Sequence, residues 1–244
     1  MQAARMLVAL ALVAGCEGSG GPCDRPRTPT SLDPATAGAI VGSVRLQGAA
    51  PTMTPLRLNP ECAALHQGPV LGGDALVRDG LVENAFVYVK EGLGDRTFAV
   101  PAAPVVLDQA GCIYEPHVAG AQTCQPIEFR NSDDFLHNVH GTPAESTGWN
   151  FAMSTRRGTR TVRVEKPEVM VQVRCDVHPW MRAYLGVLDH PYFAVTGPDG
   201  RFTLKGVPPG DFVVASWHER FGTREARVTV GARETKEVAF THAP

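Results

Sequence analysis

Val169-Met170-Val171-Gln172-Val173-Arg174-Cys175-Asp176-Val177-His178-Pro179-Trp180-Met181 carries two signals in one short run. Val169, Val171, Val173 and Cys175 recur at period two, the spacing that puts side chains on one face of a β-strand, so the thiol continues a buried apolar row. Beyond Cys175 the chain must turn. His178 and Met181 follow at spacings of three, which lets one short loop bring a thiolate, an imidazole and a thioether to a common point. Pro179 either stiffens that loop and holds His178 extended or is ordinary turn composition. Trp180 either shields the edge of a bound metal, offers a contact surface for a partner, or simply packs.

The same alternation runs through the rest of the chain. Strand-like segments occupy Ile40 to Leu46, Ala85 to Lys90, Ile127 to Arg130, Thr161 to Val164, Glu168 to Arg174, Arg201 to Leu204, Asp211 to Ser216, Arg227 to Val230 and Glu237 to Phe240. Turn runs such as Gly197-Pro198-Asp199-Gly200 and Val207-Pro208-Pro209-Gly210 separate them, and no amphipathic helical stripe of three turns is present. The 25 Gly and 20 Pro among 244 residues suit many short strands joined by turns. The expectation is an all-β protein of two Greek-key β-sandwiches. With 23 basic against 25 acidic residues there is no electrostatic footprint for nucleic acid.

A second strand supplies what the first lacks. In Phe135-Leu136-His137-Asn138-Val139-His140, Phe135, His137 and Val139 are in phase, which turns His137 inward and His140 the other way. Structural zinc prefers four Cys or His ligands, and a thioether suits it poorly. One thiolate, two imidazoles and a weak axial Met are the donor set of a blue-copper electron-transfer site. Taken singly each of these residues is an ordinary core or surface side chain; together, at this spacing and phase, they are a candidate metal centre.

"H-N-V-H" followed some forty residues on by "C-x-x-H-P-W-M" resembles the cupredoxins, and in its short ligand loop the amicyanin type. The approach Ile127-Glu128-Phe129-Arg130-Asn131-Ser132-Asp133 also looks like that family's strand before its first ligand. The resemblance implies a type 1 copper held by His137, Cys175, His178 and axial Met181, with Asn138 tying the two ligand segments together. It implies one-electron transfer with a redox partner protein such as a cytochrome or dehydrogenase. Copper used for storage or sensing in a non-catalytic surface lipoprotein is the alternative. Copper oxidases and nitrite reductases need further His-x-His pairs, and Gly-x-Ser-x-Gly, His-Glu-x-x-His and Cys-x-x-Cys-His motifs do not occur. An enzyme is therefore not expected. Of the other histidines, His140 and His117 are weak candidates for a role near a metal, His190 and His218 read as surface or interdomain contacts, and His66 and His242 carry no signal.

Phe193-Ala194-Val195-Thr196-Gly197-Pro198-Asp199-Gly200-Arg201-Phe202-Thr203-Leu204, continued to Gly210, is similar to the carboxypeptidase regulatory-like, or transthyretin-type, sandwich. That family's opening strands look like Val41-Gly42-Ser43-Val44 and Asn84-Ala85-Phe86-Val87, far upstream. The resemblance implies a regulatory-like sandwich made of residues 39–95 plus 191–244, with a cupredoxin-like domain, 96–190, inserted; two domains in tandem is the simpler alternative.

At the N-terminus, Arg5 precedes the apolar run Met6 to Ala14, too short to span a bilayer but suited to a signal peptide. Val13-Ala14-Gly15-Cys16 resembles the bacterial lipoprotein box, which implies a signal peptide over 1–15, lipid on Cys16, and a periplasmic or cell-envelope protein whose only membrane contact is that anchor. Residues 16–38 read as a flexible tether. Of the four cysteines then left, Cys62 and Cys112 are the favoured disulfide because Cys23 lies in the tether, and Cys124 is left free.

Overall fold

The computed structural model describes residues 21–24, 27–154 and 158–244; the signal-peptide segment and Cys16 lie outside these. In chain order the strands are β1 (Gly38–Leu46), β2 (Val77–Arg78), β3 (Leu81–Val82), β4 (Phe86–Glu91), β5 (Val105–Ala110) and β6 (Ile113–Glu115). They continue as β7 (Val118–Gln122), β8 (Ile127–Asn131), β9 (His137–Thr142), β10 (Trp149–Met153), β11 (Gly158–Val162) and β12 (Glu168–Arg174). β13 (Arg182–Leu188), β14 (Phe193–Val195), β15 (Arg201–Val207), β16 (Gly210–His218), β17 (Gly222–Val230) and β18 (Thr235–His242) complete the set. Among the described residues the helical pieces are a single 3₁₀ turn at Pro22–Asp24 and the short helix α1 (Pro60–Ala63). The protein is all-β.

Four sheets pack in two pairs. β1 lies between antiparallel β15 and parallel β18, and the edge of that sheet continues through β3 to β2; its companion runs β14-β4-β16-β17. The other two sheets run β10-β9-β12-β13-β7 and β11-β8-β5-β6. The chain leaves the first pair after Glu91 and comes back to it at Phe193. Alternation dictates the burial: in β1, Ile40, Val44 and Leu46 point inward, and in β12 Val171 and Val173 do. One core gathers Ile40, Val44, Phe202, Leu204, Val214 and Phe240; another gathers Leu107, Ile127, Phe129, Val139, Val173 and Leu185.

A third, smaller cluster joins the two halves. Phe86 from β4 packs with Val118 of β7 and Leu188 of β13. Its ring fits there because Gly186 has no side chain: a Cβ on Gly186 would stand 2.3 Å from Phe86, and one on Gly120 2.4 Å from Phe193. His117 and Glu219, both largely buried, form an ion pair across the same seam. Burial opposes ionisation of Glu219, yet the hydrogen bond and charge of His117 hold its pKa below the ordinary carboxylate value.

Two expectations need correction. Residues 16–38 are not tether throughout: Cys23 is disulfide-bonded to Cys124, Arg27 Nη1 donates to Thr123 Oγ1 at 2.9 Å, and Thr30 N donates to Thr97 O at 2.9 Å. Cys124 is accordingly not free. Polar, Pro-rich composition signals the lack of a local core but is silent about a cross-link to a residue 101 positions away. The other bridge joins Cys62 to Cys112, leaving Cys175 as the free cysteine among the described residues. No helix among them is long and apolar enough to cross a membrane.

Gly186→Val forces a branched side chain into the Phe86 ring and is expected to cost about 1–3 kcal/mol, seen as a lower denaturation midpoint. For Glu219, a folded-state pKa below the unfolded one means its contribution is complete above the ordinary carboxylate pKa and fades as pH falls through the depressed value. Glu219→Gln should therefore flatten the acid limb of the stability profile below about pH 4.5, the ordinary glutamate value. Thermal unfolding at stepped pH checks this.

Candidate metal centre

The site grows out of the pairing of β9 with β12. These strands are antiparallel neighbours with Val173 opposite Gly141 and Arg174 opposite His140. Running backwards along β9 from His140 while running forwards from Arg174 brings His137, at the start of one strand, beside the turn that ends the other. That turn is closed on itself: Met181 N donates to His178 O at 2.9 Å and Cys175 N to Met181 O at 3.1 Å. The loop therefore presents Cys175, His178 and Met181 from a fixed base.

The side chains converge. His137 Nδ1 lies 2.9 Å from His178 Nδ1, and Cys175 Sγ lies 3.7 Å from that same His178 nitrogen. One donor atom from each of the three residues falls within 4.8 Å of the others. His137 is 0% exposed, Cys175 and Met181 1%, and His178 4%. Met181 belongs to the same apolar cluster as Cys175. Two imidazole nitrogens turned toward each other and toward a thiol, all away from water, form a donor set suited to a cation at their common point.

The surroundings hold the donors in orientation. Asp133 Oδ2 accepts from His137 Nε2 at 2.8 Å, and the same carboxylate accepts the Gly111 and Cys112 N–H groups at 2.8 and 2.9 Å. Nδ1 of His137 is thereby left to face the other donors, as a carboxylate does for a metal-bound histidine. Burial pulls His137 toward neutrality, but Asp133 and Cys175 outweigh it and raise its pKa above the ordinary value. Burial likewise pushes the Cys175 thiol up, and His137 together with backbone N–H groups, including that of Asn138, brings it below its ordinary value. His178 is lowered by burial and by the neighbouring His137.

Asn138 latches the two segments that carry these donors. Its backbone N–H points at Cys175 Sγ at 3.5 Å, its Oδ1 accepts from Asp176 N, and its Nδ2 donates to Asn150 Oδ1 at 2.8 Å. Asp176 draws in His140, Asn150 and Arg174 on the outside of the loop, and these, His140 foremost, hold its pKa at about 2. Trp180 lies against His178 with ring centroids 5.2 Å apart and donates from Nε1 to Cys112 O at 3.0 Å. Pro179 is exposed, as are Val177 and Leu136 on the outer rim.

Several partners escaped sequence reading. Asp133 carries the one signal that could have exposed it, a carboxylate four residues before a candidate donor histidine. Tyr114 and Gln109, which both donate to Asn138 O, come from distant strands, and the Cys62–Cys112 bridge, itself expected from the sequence, has a place beside His178 that no spacing rule gives. The remaining histidines sit elsewhere. His140 faces outward onto Asp176, and His117 pairs with Glu219 instead of any donor of the centre. His190 and His218 are not surface residues: they are 5% and 1% exposed, stacked on Tyr192 and Phe221 respectively. Their apolar flanks fill core space, which a polar assignment from sequence overlooks. His66 bonds Gly111 O at 2.8 Å, and His242, fully buried, bonds Ser216 Oγ at 3.0 Å.

No protein-family model matches the chain. No curated protein matches it either. Among solved structures it is similar to a copper-containing nitrite reductase from Thermus scotoductus SA-01, at 20% identity and a TM-score of 0.32, over 39% of this chain and 26% of that one. It spans only about a quarter of that reductase. An oxidized amicyanin variant is similar at 17% identity and a TM-score of 0.32, over 41% of this chain and 97% of amicyanin. A purple cupredoxin from Nitrosopumilus maritimus is similar at 16% identity and a TM-score of 0.29, over 34% and 98%.

In the metal-free chain with disulfides intact, thiolate ultraviolet absorption is expected to grow in at a pH below that of an ordinary cysteine, because Cys175 ionises early beside His137. His137→Ala should move that titration upward, the direction that burial alone dictates.

Proposed function

We propose that the chain is an exported copper protein with a mononuclear type 1 site that passes one electron at a time to and from a redox partner protein. The observation that carries this reading is the convergence of His137, Cys175 and His178 within 4.8 Å, dry and braced. In it His137 and His178 would supply imidazole nitrogen, Cys175 the thiolate and Met181 a weak thioether. Copper bound there would supply a one-electron couple tuned by its thiolate and thioether donors.

The chain's own residues supply rigidity. Asp133 fixes the tautomer of His137, Asn138 keeps the thiol's approach constant, and the closed turn from Cys175 to Met181 holds three donors on one short segment. Donors held in place by a hydrogen-bonded shell move little when the charge at their centre changes, which keeps reorganisation small. Val177, Pro179 and Leu136 form an apolar rim over the loop suited to transient protein contact.

Export fits two disulfides, which persist in oxidising compartments. The reading includes lipid attachment at Cys16 as the sole membrane tie, and a regulatory-like sandwich, 39–95 plus 191–244, that carries the metal domain and performs no catalysis. The same donors could serve storage, but an acceptor that only stores metal has no need of so braced a thiolate.

Loading the purified chain with Cu(II) should give an intense blue thiolate-to-copper band that bleaches on reduction. Cys175→Ser should abolish it and His140→Ala should leave it. A colourless Cu(II)-treated chain with Cys175 intact contradicts the reading. Asp133→Ala is expected to lower copper affinity about 10–100-fold by freeing the His137 ring, read by chelator competition.

A further inference from the structure

The Cys62–Cys112 disulfide stands among the donors without a part in the reading above. Its two sulfurs and a ring nitrogen of His178 lie within 4.8 Å of one another, and Cys112 makes a second such group with Asp133 and His137. Both cysteines are fully buried. Cys112 is anchored to the centre: its N–H donates to Asp133, and its carbonyl accepts from Trp180. Cys62 rides instead on α1, a single turn capped by Asn59 Oδ1 at 2.9 Å from Cys62 N and flanked by exposed Glu61, Ala63, Ala64 and Leu65. One sulfur is thus held by the rigid site and the other by a short surface turn that local opening can lift.

We propose that two-electron reduction of Cys62–Cys112 by a dithiol creates a second metal site, built from the Cys62 and Cys112 thiolates and the His178 imidazole, that takes Cu(I). Two thiolates and an imidazole are soft donors that select Cu(I) over hard cations. The exchange balances. A dithiol thiolate attacks one sulfur and breaks the S–S bond; the dithiol's second thiolate resolves the mixed disulfide, so that two electrons and two protons pass to the chain and the dithiol closes to its own disulfide. Cu(I) then displaces the thiol protons. His178 also stands 3.7 Å from Cys175 Sγ. The two sites share His178 but have separate sulfur donors, Cys175 in one and Cys62 with Cys112 in the other, so opening the disulfide adds capacity for one Cu(I) and changes how the chain holds copper. The inference rests on the copper reading only in that shared histidine.

The test uses the full chain, with disulfides intact or opened by a dithiol that is then removed without air, thiols being counted. Each form is titrated with Cu(I) against a chromophoric Cu(I) chelator. The reduced chain should take one more Cu(I) than the reduced Cys62→Ser/Cys112→Ser chain, in which Cys23–Cys124 is the bridge that opens. Should that variant fold poorly, the reduced wild-type chain decides alone: free Cu(I) at about ten times its Kd should slow alkylation of Cys62 and Cys112 about tenfold by mass action, read by peptide mass spectrometry, and His178→Ala should remove the protection. Equal copper uptake, unprotected cysteines, protection that survives His178→Ala, or a disulfide that no dithiol opens overturns the proposal. An intact chain that binds no copper, beside a reduced one that gains its equivalent, overturns the blue-copper reading and leaves this one standing.

Discussion

The Asp133 carboxylate is the point on which the centre depends. It receives three N–H groups, from His137 and from the backbones of Gly111 and Cys112. With the carboxylate 7% exposed, the competing water is largely absent and each bond gains strength. The same atoms therefore orient the His137 ring and pin the loop that carries the disulfide. Because that loop also accepts from Trp180, which lies on His178, the bracing reaches both imidazoles. Charge balance follows from this arrangement: Asp133 and Cys175 raise the pKa of His137, and a cation at the common point would answer the same two negative groups.

The sheets supply the precision. β9 and β12 are interior strands of a five-stranded sheet, and their register decides that His137 meets the Cys175 turn; a slip of one residue would send His137 to the outer face with His140. Among the described residues the first pair of sheets meets this machinery at the Phe86 seam, the Tyr184–Trp217 ring contact and the His117–Glu219 pair. Glycine at 120 and 186 lets the aromatic rings of β14 and β4 press on β7 and β13, strands of the same sheet as β9 and β12.

Much of this was legible in the sequence because it is periodic or local. Alternation put Val169, Val171, Val173 and Cys175 on one buried face, and the structure buries the last three together while Val169, before the register shift in β12, is half-buried against the Phe86 cluster; phase turned His137 inward while His140 faced out, as the structure has them. What stayed hidden is non-local. Cys23 reads as tether because its neighbours are polar, yet its partner lies far along the chain. Tyr114 and Gln109 reach Asn138 from another sheet, and no spacing rule predicts that contact. His190 and His218 look polar by type but are stacked rings in apolar company, a placement that only packing decides.

The central claim is that one metal sits among His137, Cys175 and His178. X-ray absorption at the copper edge, on chain loaded with one equivalent of Cu(II), tests it most directly. The account predicts one sulfur and two imidazole scatterers in the inner coordination shell, with the sulfur lost in Cys175→Ser. A shell of oxygen and nitrogen without sulfur in the unaltered chain would contradict it.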